Sequence, residues 1–430
     1  MKEKVEHFAL SNPISVITGK PRDEFTREDL INVVIEKQIE RLTFHYTAMD
    51  GKLKELKIPV NNRRQVELML TKGERIDGSS TFKGIVETGK SDVYIVPVYK
   101  TAFLNPFDEG SLDFMCRLVD KDGNRAWFAP DNILHNAHNL LKQNTGLELH
   151  ALGELEFYLI GDFNNRLFPL QKQKGYHASQ PFIKGGHVIN EMLRYITQIF
   201  GNVKYAHSEV GYLEKVVSDF EELNGKTAEQ FEIEFLPTDI EDAADSMVLA
   251  SWIIRNVAFR NGFIATFFPK IEIGHAGNGL HVHMALMKDG QNVMTDDKGE
   301  LSTEAKKLIG GLCEYAPSLT AFGNMVPASY LRLVPKQEAP TRVCWSEQNR
   351  SALLRIPLAW TKLGNLSKVV NPQQEEELED EMKLQTVEIR SPDGGALQAD
   401  GFSDPEDPSG YAADDFPSLG FKHSRQHAAL

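Results

Sequence analysis

Hydrophobic residues recur with two different periods along this chain. Between residues 24 and 42, Leu30, Val33, Val34, Ile39 and Leu42 follow Thr26, Glu28 and Asp29, which predicts a helix with an acidic first turn. From Leu42 to about Phe114 the text changes to short runs such as VYIVPVY at 93–99. These are broken by Gly78, Gly84, Gly89, Pro97 and Pro106 and read as a small sheet-rich unit. Helical spacing returns over 132–143. It is clearest over 240–260, where Ala243, Met247, Val248, Ser251, Ile254, Val257 and Ala258 form a stripe below Asp239 and Asp242. From Leu149 onward strands are expected to alternate with such helices. The acidic run Glu375, Glu376, Glu377, Glu379, Asp380 and Glu381 reads as a solvated helix face or loop. After Gly394 the text is rich in Gly, Pro, Asp and Ser without an apolar period, as in a disordered or foreign tail.

Within the strand-like text, four short segments set two polar groups around one apolar residue, so that both point to the same side of an extended chain. They are Glu154-Leu155-Glu156, Glu232-Ile233-Glu234, His281-Val282-His283 and Glu388-Ile389-Arg390. A solvated strand face also alternates, but it would more often carry Lys, Thr or Ser. Four segments of this kind point to one concave face lined by carboxylates and imidazoles. Like charges gathered there repel unless cations neutralise them, and oxygen-dominated ligation with imidazole favours Mg²⁺ or Mn²⁺ over zinc or copper.

Composition narrows the picture. The 430 residues are 41% hydrophobic and 25% charged with net charge −14, which excludes a fibrous or wholly disordered chain and repels nucleic acid and anionic membranes. Cys116, Cys313 and Cys344 are few and far apart, as expected of a cytoplasmic protein. No signal-peptide core opens the chain, and no apolar run approaches the roughly 18 residues of a membrane span. Arg332, Arg342, Arg350, Arg355 and Arg390 offer planar forks for phosphate or carboxylate groups. Beside a carboxylate-held metal they point to a nucleoside triphosphate. Walker A, Gly-x-Gly-x-x-Gly, Gly-x-Ser-x-Gly and His-Glu-x-x-His patterns are all missing, so nucleotide chemistry here belongs to a less common fold.

These blocks resemble the glutamine synthetase family. NRSALLRIP at 349–357, YLRLVPKQEAP at 330–340 and GNGLHVH at 277–283 are similar to its most diagnostic stretches. IDGSS at 76–80, GELEF at 153–157 and QFEIEF at 230–235 occur in its order. The likeness spans roughly residues 25 to 393. It implies an α+β chain with an N-terminal segment over 1–24 and a β-grasp domain over 25–120. A catalytic domain with a curved antiparallel sheet flanked by helices follows over 121–393, then the atypical tail over 394–430. It further implies a ring-shaped homo-oligomer with active sites between subunits, and ATP-dependent ligation of ammonia to L-glutamate through γ-glutamyl phosphate. Relatives that join polyamines or methylamine to glutamate, and a catalytically impaired ring-former, are the alternatives.

By motif, the resemblance assigns Glu156, Glu209 and Glu232 to one metal and Glu154, His281 and Glu388 to another, two or more Mg²⁺ or Mn²⁺ in all. Arg332, Arg390 and Gly277 fall to glutamate, and Arg350, Arg355 and Lys383 to ATP. His283 falls to the transferring group and Glu338 to a closing flap. Asp77, Ser80, Tyr176 and Glu209 form the ammonium pocket, with Asp77 as proton acceptor from the adjacent subunit. Several positions depart from the family. An extra segment separates Glu209 from Glu232 and leaves Glu214 as a substitute ligand. Ala276 stands where the family usually has Asn, and Thr386 stands where many members have Arg. After SPDG at 391–394 the helical text of relatives is missing, as a shifted reading frame would give.

Overall fold

A computed structural model describes residues 7–49, 51–163, 167–335, 339–358, 366–374 and 384–393. Glu338, Lys383, the acidic run and the tail after Asp393 lie outside the described residues.

The predicted first helix forms over Arg27–Glu36, shorter than its apolar spacing proposed, because Ile39 and Leu42 belong to the turn and strand that follow. Thr26 and Asp29 close a reciprocal cap at its start, so two otherwise orphaned backbone donors are satisfied. Strands β1 (Arg41–Thr47), β2 (Leu53–Pro59), β3 (Glu74–Asp77), β4 (Asp92–Pro97), β5 (Phe103–Leu104) and β6 (Ser111–Val119) make the first sheet. Its order is β2-β1-β6-β4-β3, with β5 on β6; β1 and β6 run parallel and the other neighbours antiparallel. Leu30, Val33 and Val34 from the helix meet Leu42, Phe44, Leu112 and Phe114 in one apolar cluster. Burying each such side chain is worth about 1.5–3 kcal/mol.

The second sheet uses β7 (Glu148–Gly161), β8 (Val203–Leu213), β9 (Thr227–Phe235), β10 (Thr238–Asp239), β11 (Ile264–Thr266), β12 (Leu280–Lys288), β13 (Gln291–Asn292), β14 (Trp345–Glu347), β15 (Leu354–Ile356) and β16 (Val387–Ile389). Among the described residues its order is β14-β15-β16-β12-β7-β9-β8. All pairs on that path are antiparallel except β14 with β15, which makes the sheet mixed and not wholly antiparallel. The helix Ile240–Arg260 lies where its stripe predicted, started by Asp239, whose carboxylate accepts from the Glu241 amide at 2.9 Å. Its Leu249, Ile253, Ile254 and Val257 cover Leu155, Phe157 and Leu159 of β7 and Phe231, Ile233 and Phe235 of β9. Period 2 then obliges Glu154, Glu156, Glu232 and Glu234 to leave on the opposite face. A buried bidentate pair, Arg117 with Asp245 at 3.1 and 2.7 Å, joins the first sheet to the helix that covers the second. No helix among the described residues is long and apolar enough to cross a membrane.

Candidate active site

The register brings the four polar-apolar-polar segments side by side. Glu154 stands opposite His281 on one flank and Glu234 on the other, Glu156 opposite Glu232, and Glu388 opposite both His283 and Arg355. Opposed residues on one face come within about 5.5 Å between Cβ atoms, so the pairing by itself assembles the cluster. All these residues except Arg355 are buried.

Glu154 is the hub. Its oxygens are 2.7 Å from His281 Nδ1 and 2.8 Å from His283 Nε2. Burial works to raise its pKa, yet the two imidazole hydrogen bonds prevail and hold the carboxyl well below the usual range. His283 is raised in turn: burial alone would lower it, and the Glu154 carboxylate outweighs that. Glu232 goes the other way. Burial first, then the charges of Glu154, Glu156, Glu209 and Glu234, push its carboxyl well above normal. Three sets of ligand atoms lie within 4.8 Å of one another on this face: Glu154 with Glu156 and His281, Glu154 with His283 and Glu388, and Glu209 with Glu232 and His207. A donor set of carboxylates with imidazole, buried and self-repelling, fits hard divalent cations such as Mg²⁺ or Mn²⁺. The grouping differs from that expected by motif, since Glu156 joins Glu154 and His281 while Glu209 and Glu232 share His207.

A fourth set, His138 with Asp239 and Glu241, lies away from this face and does not fit a metal. His138 Nε2 accepts from the Leu149 amide at 3.1 Å, so its proton sits on Nδ1, the atom facing Asp239.

Two cavities of about 360 and 350 Å³ open on either side of the cluster, and Glu156, Glu209, His281 and Arg390 line both. The first also holds Gly277, Arg332 and Gln230; the second holds Glu154, Glu232, His283, Arg350, Arg355, Tyr176 and Thr386. Arg332 is buried, donates to the carbonyls of Ser391 and Pro392, and leaves Nε without a hydrogen bond among the described residues, 3.9 Å from Asp393 Oδ2. Burial lowers its pKa from the usual guanidinium value. Arg390 and Arg355 both bond the Glu388 carboxylate. Gly277 has no room for a side chain: a Cβ would fall 2.2 Å from the Pro269 carbonyl and 3.0 Å from Arg332 Cγ. Thr386 bonds His283 Nδ1 at 3.0 Å.

Not every expected residue joins. Asp77 and Ser80 sit exposed at the end of β3, bonded to each other at 2.6 Å, and line neither cavity. The Ser80 and Ser79 hydroxyls hold the Asp77 carboxyl down at about 2. Glu214 and Arg342 are exposed and also line neither. Glu209 occupies the site instead of Glu214, because the extra segment simply lengthens the β8–β9 hairpin beyond a register shift between Ser208 and Tyr212. His207 was missed. With Glu209 it forms a fifth alternating pair, but the residue between them is Ser208, so the apolar centre that marks the other four is lacking. Lys204, bonded to Glu234 at 2.7 Å, and Gln230, which donates to the Gly277 carbonyl at 3.0 Å, carry no motif of their own.

With this geometry in hand, three comparisons bear on the chain. The family model described as glutamine synthetase, beta-Grasp domain, matches residues 38–121, and that for glutamine synthetase, catalytic domain, matches 128–371. Among curated proteins, glutamine synthetase of Frankia alni is 30% identical, covering 78% of this chain and 74% of the relative. That of Halobacterium salinarum is 32% identical, covering 75% and 69%. Among solved structures, a Plasmodium falciparum glutamine synthetase superposes with TM-score 0.69 at 22% identity, over 87% of this chain and 73% of that one. A GmaS complex with ADP gives 0.67 at 22% identity, over 86% and 77%. At that identity the likeness concerns the fold: a β-grasp unit followed by a curled sheet with helices.

Proposed function

Because this chain belongs to the glutamine synthetase family, we propose that it is a ligase joining ammonia to the γ-carboxylate of L-glutamate, driven by ATP. The observation that carries the reading is the pair of cavities meeting at one wall of Glu156, Glu209, His281 and Arg390. The first suits a small amino acid: Arg332 and Arg390 face an anionic group, and the close approach at Gly277 keeps backbone within reach of the substrate. The second suits a triphosphate, since Arg350, Arg355 and Arg390 converge beside buried carboxylates.

Glu154, Glu156, Glu209, Glu232, His281 and Glu388 would hold two or more Mg²⁺ or Mn²⁺. Bound there, such ions offset the charge on the phosphoryl oxygens and on the carboxylates themselves. The γ-carboxylate oxygen of glutamate attacks the γ-phosphorus of ATP, ADP leaves, and γ-glutamyl phosphate results. Arg350 and Arg355 stabilise the transferring group, and His283, held in place by Glu154 and Thr386, adds positive charge beside it. Ammonium binds among Glu209, Tyr176 and Ser80, loses a proton to Asp77, and the ammonia formed attacks the acyl carbon and expels phosphate. Asp77 and Ser80 come from a neighbouring copy, which accounts for their distance from this chain's own cavities. Glu338 closes over the intermediate, and Lys383 assists at the nucleotide.

The test is γ-glutamyl hydroxamate formation from glutamate, ATP and hydroxylamine by the full chain in Mg²⁺. Product is expected, as is glutamine with ammonia; ADP binding without hydroxamate at any amine concentration would reject the ligase. A panel in which methylamine or a polyamine outcompetes ammonia at matched concentration would replace the acceptor.

A further inference from the structure

Residues 167–184 form a strap that contributes Gln173 to the wall of the first cavity and Tyr176 to that of the second. Three of its non-glycine residues, Phe168, Gln173 and His177, adopt left-handed backbone with φ of 54°, 56° and 52°. Strain of this kind persists only where surrounding contacts enforce it, and it collects at binding sites. Here the contacts are with β8. The Gly175 amide donates to the Val210 carbonyl at 3.2 Å, the His177 amide to the Ser208 carbonyl at 3.0 Å, and the Ser208 hydroxyl to the Gly175 carbonyl at 2.7 Å. Gly175 lies so close that a Cβ would meet the Glu209 carbonyl at 2.4 Å. The strap is thus fixed to the strand that carries Glu209, and the fixing delivers Gln173 into the wall of the first cavity.

The orientation of that amide follows from its neighbour. The Ala276 backbone amide can only donate, so the atom it meets at 3.0 Å is Gln173 Oε1, and Nε2 is the atom left over. Nε2 is buried and has no acceptor among the described residues. A buried amide donor facing a polar cavity needs an acceptor, and the described residues supply none. Next to Ala276 stands Gly277, packed on Arg332, and all three line the same cavity as Gln173. A neutral amide suits that place. It adds a directed bond to an anion without adding a further cation beside Arg332, Arg390 and Lys270.

We infer that Gln173 is a substrate-binding and specificity-determining residue, whose Nε2 donates to the α-carboxylate of the amino-acid substrate beside Arg332. The inference rests on the glutamate reading of the first cavity. Its test uses two variants of the full chain and L-glutamate binding by calorimetry in Mg²⁺ and ADP, with hydroxamate formation on the same samples. Gln173→Glu keeps an oxygen for the Ala276 amide and loses the donor; Gln173→Met loses both without adding charge. Both are expected to weaken glutamate binding about ten- to a hundredfold, the scale of one hydrogen bond to a charged group, with ADP affinity within about twofold of wild type. Weakening in Met but not in Glu would mean that Gln173 only holds the loop, and weakening in Glu but not in Met would reflect added charge alone; either overturns the subsite. Glutamate binding that depends on Gln173 in a wild-type protein that makes no hydroxamate would reject the proposed reaction and retain the subsite.

Discussion

At the residue scale the site is a problem of uncompensated charge. Glu154 and Glu232 sit on neighbouring strands with similar burial, yet one is held low by two imidazoles and the other pushed high by four carboxylates. Removing Glu156 relieves repulsion in the apo protein while taking away a wall of both cavities. Glu156→Ala is therefore expected to match or exceed wild type in thermal unfolding without metal and to lose hydroxamate turnover by 10²-fold or more, a scale typical of lost electrostatic stabilisation. A melting temperature well below wild type would argue against the repulsion. Lys270 gives a pH test. Burial first, and then Arg332, lower it to about 8, so between pH 8 and its unfolded value near 10.5 the unfolded chain binds more protons than the folded one. Its contribution to stability consequently rises with pH across that window. Urea titrations of wild type and Lys270→Met at pH 7.5 and 10 should differ in slope with pH in that sense; parallel behaviour would reject the assignment. Much at this scale was legible, since Glu154, Glu156, Glu232, His281 and Glu388 announce themselves by alternation. His207 and Gln173 were not, because one has a polar residue beside it and the other acts from a strap without period.

At the element scale, β7 and β9 do most of the work. Under the helix Ile240–Arg260, β7 buries Leu155, Phe157 and Leu159 and β9 buries Phe231, Ile233 and Phe235, and each buries carboxylates on the other face. The helix was readable from its stripe because tertiary packing there agrees with local spacing. The 213–227 extension was not, since its residues look like an insertion loop until the hairpin brings them together. Val216 and Leu223 in fact pack with Tyr158, Ile160 and Ile271 behind the first cavity, while the Tyr158 hydroxyl donates to the Ala276 carbonyl at 2.8 Å. Leu223→Ala is expected to cost about 2–4 kcal/mol in urea unfolding, with some of that loss appearing as weaker glutamate binding through the Ile271–Gly277 loop. A change below about 0.5 kcal/mol would mean that the extension is an ornament.

At the scale of the whole molecule, the alternation of short strands and long helices was legible and the fold class came from the resemblance to the family, whereas the parallel β14–β15 pair and the sheet order depended on contacts between distant segments that no local pattern encodes. The proposed reaction also needs more than one copy, since Asp77 and Ser80 line neither cavity of their own chain. If a neighbour supplies them, mixing Asp77→Ala with Glu156→Ala chains under conditions that allow subunit exchange should restore part of the turnover that each lacks alone. No recovery in mixed assemblies confirmed by mass would place Asp77 outside the reaction. The measurement closest to the central claim is a calorimetric titration of the metal-free full chain with Mn²⁺ in the presence of ADP. Two or more ions per chain, with at least one lost in Glu156→Ala, is the expected result. Absence of saturable binding in the wild type would contradict the convergence of these strands on a divalent-cation site.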